Sequence, residues 1–159
     1  MKKRINIFAQ VIAAAALLLS ACGGAPRVDW ELAVTGDVAE QTTFTYAELA
    51  DMPQTELENI LMEKSEGEDE TGSWSGVGLD LLLDETGAPE VFATITALAA
   101  DGYAIEITKD ELQNAIVALK QDGEWIQEAD PDRGPIRLVC PETPANRWVF
   151  QLEELQINQ

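Results

Sequence analysis

Turn-forming pairs break this chain at three places: Gly36-Asp37, Asp101-Gly102 and Asp122-Gly123. Glycine next to Asp favours tight reversals and hairpin turns. The segments that flank them are short and carry the patterns of strands. Trp30, Leu32 and Val34 alternate with Glu31, Ala33 and Thr35, a period of two. Residues 91–99 and 103–107 are β-branched, apolar runs that flank Asp101-Gly102, and residues 115–120 and 124–127 flank Asp122-Gly123. Residues 55–64, 136–140 and 148–152 read as further strands. Helices are brief. Thr45 with Glu48, and Thr108 with Glu111, are capping boxes that open short helices over 46–51 and 109–114. A third short helix is expected over 79–83, ending near Gly87. The pattern predicts an α+β, mainly β single domain with short helices.

The front of the chain is different. Lys2, Lys3 and Arg4 precede an apolar run from Ile5 to Leu19, interrupted only by Asn6 and Gln10, and no acid occurs before Cys22. A basic start, a short apolar stretch and small residues at its end make an export signal. The stretch is shorter than the roughly 20 residues a membrane span needs. Leu19-Ser20-Ala21-Cys22 matches the bacterial lipobox, so residues 1–21 resemble a lipoprotein signal peptide. This implies cleavage before Cys22 and a diacylglycerol on its sulfur. Residues 22–29 are then a tether and 30–159 the folded domain. The expected location is the cell membrane, lipid-anchored on the extracytoplasmic face.

Charge and composition exclude several function classes. The whole chain has 10 Lys and Arg, 29 Asp and Glu, and no His, for a net charge of −19. Without histidine there is no Ser-His-Asp or Cys-His centre and no imidazole metal ligand. Beyond the signal, 7 basic residues face 29 acidic ones, a net −22. Nucleic acid, which needs a basic surface, is excluded as a partner. Anionic lipid headgroups repel such a domain, so acyl chains, at about 0.8 kcal/mol per buried CH2, hold it at the membrane. With Cys22 lipidated, Cys140 is the only thiol left, within the apolar run Ile136 to Cys140. It reads as a buried small hydrophobe, with a metal or redox thiol as the alternative. The acidic run Glu66-Gly67-Glu68-Asp69-Glu70 could offer oxygens to a cation but lacks the regular spacing of an EF-hand loop.

Five stretches occur in a telling order: Trp74-Ser75-Gly76-Val77-Gly78-Leu79 continuing to Leu83, Asp101-Gly102-Tyr103, Asp122-Gly123-Glu124, Gly134-Pro135-Ile136-Arg137-Leu138-Val139, and Arg147-Trp148-Val149. Their order resembles the molybdopterin-binding oxidoreductase domain, the sulfite oxidase fold, over residues 30–158. The resemblance implies a mainly β domain with a cleft for a pterin cofactor. In that family a cysteine shortly before the W-x-G-V turn binds molybdenum, and Arg, Lys and His hold the pterin phosphate. Here the corresponding stretch, 60–73, has no cysteine and carries Glu63, Glu66, Glu68, Asp69 and Glu70 instead. Cys140 lies on a later strand, away from that position.

The expectation is therefore a retained fold without molybdenum chemistry: no catalytic residue, no metal and no cofactor, with molybdopterin as the alternative. The domain is expected to bind a small ligand or an envelope protein in the family's cleft. Candidate cleft residues are Trp74, Tyr103, Arg133, Arg137, Cys140 and Arg147. The alternatives are a molybdopterin-dependent oxidoreductase, or a subunit of one, and cation binding by the acidic loop.

Overall fold

The computed structural model describes residues 24–159. Residues 1–21, expected to be a signal peptide, and Cys22 with its expected lipidation lie outside the described residues. Within them, no helix is long and apolar enough to cross a membrane.

Two sheets carry the domain. The first contains β1 (Glu31–Gly36), β2 (Thr42–Thr45), β5 (Thr94–Ala99), β6 (Ala104–Thr108) and β11 (Leu152–Asn158), in the order β2-β1-β11-β5-β6. The pairing of β1 with β11 is parallel, and its other pairings are antiparallel. The second contains β3 (Gln54–Met62), β4 (Glu70–Gly78), β7 (Ile116–Gln121), β9 (Arg137–Val139) and β10 (Val149–Phe150), in the order β10-β9-β7-β4-β3, with β8 (Glu124–Trp125) paired to β7. Both sheets contribute to one hydrophobic core.

The residue patterns account for these elements. In β1, Leu32 and Val34 are buried while Glu31 is exposed and Ala33 and Thr35 are half-buried, as alternation requires. In β7, Ile116 through Leu119 are all buried, because structure covers both of its faces. The capping box at α1 (Tyr46–Asp51) forms in full: Thr45 Oγ1 accepts from the Glu48 amide, and the Glu48 carboxylate accepts from the Thr45 amide. Tyr46 and Leu49 are the buried face of that helix. The helix α2 (Leu79–Glu85) buries Leu79, Leu82 and Leu83, extends two residues past Leu83 and stops near Gly87, as expected.

Several sequence expectations need correction. The expected strand over 91–99 begins only at Thr94, and Val91 before it is 79% exposed. The expected helix over 109–114 is a single 3₁₀ turn, Asp110–Leu112. The segment after Asp122-Gly123 is a strand only through Trp125, then coils into α3 (Ile126–Ala129). The last residue of the acidic run, Glu70, is already the first of β4. The expected strand over 148–152 is two strands in different sheets. Gln151, with a positive φ of 47°, turns the chain out of the second sheet and into the first.

Candidate functional site

The second sheet brings three of the sequence candidates together. Arg137 lies on β9, where Phe150 of β10 is its direct cross-strand partner and Ala118 of β7 its neighbour on the other side. Beyond Ala118 the row continues to Gly76 on β4, and Trp74 follows across a bulge between Ser75 and Gly76. Small residues in the middle of this row leave space for the two large side chains at its ends. Gly76 is obligatory for close strand approach: a Cβ there would meet the Val117 carbonyl oxygen at 2.0 Å.

The Arg137 guanidinium is enclosed by aromatic rings. Its central carbon lies 3.9 Å from the Phe150 ring centroid, 4.9 Å from that of Trp74 and 5.1 Å from that of Trp148. Trp74 and Trp148 meet edge to face at 5.7 Å. The residue is 4% exposed, its Nε has no hydrogen-bond partner, and it makes no ion pair among the described residues. Trp74, 2% exposed, likewise leaves its indole Nε1 without a partner. Burial is the main cause that pulls the Arg137 pKa down to about 9; the Arg133 charge adds to it and Asp130 opposes it. The group remains cationic at neutral pH, and cation–π attraction from three ring faces offsets part of its desolvation.

A cavity of about 50 Å³ adjoins this group, lined by Arg137, Trp74 and Phe150 together with Arg133, Lys64 and Gln121. Arg133 stacks over the outer part of Phe150 at 5.3 Å and sits 3.7 Å from Asp130. Lys64 pairs with Glu70, and that lysine is the main cause holding the Glu70 carboxyl below its usual range. Sequence reasoning missed Lys64, Phe150 and Asp130, because nothing in their spacing announces that hairpin β3–β4 and the segment before β9 meet there.

The other candidates lie elsewhere. Tyr103, 46% exposed, sits at the β5–β6 hairpin, where its amide donates to Asp101 Oδ1. Arg147 does not join the other two arginines. Its guanidinium donates to the Glu111 carboxylate at 2.8 Å and to the Glu106 carbonyl at 2.9 Å, and it does not line the cavity. Glu111 is held below the usual carboxylate range first by the Thr108 amide, against burial, with the Thr108 hydroxyl and Arg147 adding to it. Cys140 is fully buried, and its carbonyl accepts from the Trp148 indole at 2.8 Å. Burial, and secondarily the Glu111 charge, push its thiol up to about 12 against the opposing Arg147. It is a protonated, inert thiol at neutral pH.

The donor set does not fit a molybdenum thiolate site. Residues 60–73 span the end of β3, the hairpin loop and the start of β4, and Met62 pairs with Glu70 across that hairpin. They bring carboxylates and no cysteine. Among the described residues, no three His, Cys, Asp or Glu side chains form a group that could hold a metal ion. The acidic loop is included in that statement.

The two-sheet architecture is that of sulfite-oxidase-like domains. The crystal structure of the sulfane dehydrogenase SoxCD from Paracoccus pantotrophus superposes with a TM-score of 0.72 at 22% identity, covering 86% of this chain and 40% of that one. This chain thus spans less than half the length of that protein. No curated protein matches by sequence. Residues 22–159 match the oxidoreductase molybdopterin binding domain family, and the chain belongs to it.

Proposed function

We infer that this protein is a lipid-anchored, extracytoplasmic member of its family that has lost molybdenum chemistry and serves as a binding module. The observation that carries this reading is the lack of an available thiolate. The one cysteine among the described residues, Cys140, is buried, protonated and outside the 60–73 segment. A cysteine holds a metal as its thiolate, and Cys140 lies buried in the core, away from the segment that would present one. The ligand is a small molecule or an envelope protein. The anchor is the lipid on Cys22, supported by the lipobox Leu19 to Cys22 and the basic start before it.

The alternative, a molybdopterin-dependent oxidoreductase, draws on family membership. It requires a pterin held without a protein thiolate, by a chain with few cations. The test is to purify the protein from cells that make molybdopterin, then denature and oxidise it. No fluorescent pterin should be released. Pterin in amounts equal to the protein would overturn the reading. In the same cells, labelled palmitate should enter the wild type and not a Cys22→Ser variant.

A further inference from the structure

We propose that the cavity beside Arg137 is a binding site for the carboxylate group of a small organic anion. The proposal deepens the binding role inferred above and rests on it only in taking the domain to bind a ligand.

Two buried donors carry the argument. The Arg137 Nε and the Trp74 Nε1 both lack partners, and they belong to residues 4% and 2% exposed that line the same cavity. Buried donors are almost always satisfied, and buried charges are paired. Two unsatisfied donors at one cavity therefore mark the place of an absent acceptor. Charge points the same way. Of the 7 basic residues beyond the signal, Lys64, Arg133 and Arg137 all line this cavity. Glu70 and Asp130 pair with the outer two, leaving Arg137 uncompensated. The lining thus carries a net +1, in a chain whose overall charge is strongly negative.

That excess selects the ligand. One uncompensated cation matches a monoanion better than a dianion. A guanidinium presents a planar fork that suits a carboxylate. The walls include Met62, Trp74, Ile126 and Phe150, which suit the carbon attached to it. The space of about 50 Å³ is small. A single water needs about 10–15 Å³ of such space, so the cavity admits a carboxylate headgroup and little more, and the rest of the ligand extends outward past Arg133 and Lys64.

The experiment uses the full chain in detergent, unfolded thermally in acetate against chloride at constant ionic strength. A ligand of the native state raises the midpoint by RT ln(1 + [L]/Kd), so the rise should grow with acetate. The indole N–H resonance of Trp74 should move in step. Arg133→Gln and Lys64→Gln, both at the solvent side and compatible with folding, should weaken the response at least several-fold when combined. Arg27→Gln, outside the cavity, should leave it intact. An equal response in the double variant, no acetate response, or a response to phosphate alone would overturn the proposal. Molybdenum and pterin measurements are independent of this outcome, so failure here leaves the non-catalytic reading standing, and the reverse.

Discussion

Cys140 shows how environment decides what a residue does. Its thiol is surrounded by core, and the Glu111 charge lies closer in effect than the opposing Arg147. The folded protein therefore keeps the proton up to about 12, whereas an unfolded cysteine loses it near 8.5. Between these values the native state binds more protons than the unfolded state, so this group's contribution to stability falls as pH rises. Denaturant unfolding at a series of pH values should show the stability difference between wild type and Cys140→Ala shifting against the wild type above about pH 8.5. A pH-independent difference would contradict that burial. Replacement by Ser places a hydroxyl in the same apolar site and should cost about 1–3 kcal/mol. A thiol reagent should react only after unfolding. Sequence made part of this visible: an apolar run around Cys140 reads as core. The enclosure of Arg137 by Trp74, Trp148 and Phe150 was not legible, because Trp74 is distant in the chain and the rings meet the guanidinium only through sheet pairing.

Elements follow local chemistry where local chemistry is strong. The box Thr45–Glu48 specified α1 to the residue, and its loss in Thr45→Ala should cost about 0.5–2 kcal/mol by chemical denaturation. The turns at Asp101-Gly102 and Asp122-Gly123 formed as read, with both glycines at positive φ. Where tertiary contacts decide, local composition is a poor guide. The strand β4 contains Gly72, Ser73, Ser75, Gly76 and Gly78, a composition that signals turns. It is nonetheless a strand, because β3 and β7 flank it on both sides and demand its small residues. Gly76→Ala is the direct test. A Cβ meeting the Val117 carbonyl oxygen and Ala118 Cα would force β4 and β7 apart, for a loss above about 4 kcal/mol or failure to fold. A mild effect would mean that the strands part more easily than their registry indicates. The break at Gln151 was equally invisible, since its positive φ is set by the need of β10 and β11 to enter different sheets.

At the scale of the molecule, the 7 cations and 29 anions of residues 22–159 produce strong self-repulsion. Salt screens it over a Debye length of about 10 Å at 0.1 M. The melting temperature should therefore rise as sodium chloride is increased from low ionic strength, and a flat or falling curve would show that local pairs outweigh the net field. The fold class and family were legible because they rest on ordered motifs spread through the domain; the position of the cavity was not, because it depends on how those motifs pack. The central claim remains chemical: a family scaffold without a sulfur ligand for its metal. Molybdenum per chain, measured by elemental analysis of protein purified from molybdenum-replete, molybdopterin-producing cells, tests it most directly. The account expects a trace far below stoichiometry, and one molybdenum for each polypeptide would contradict it.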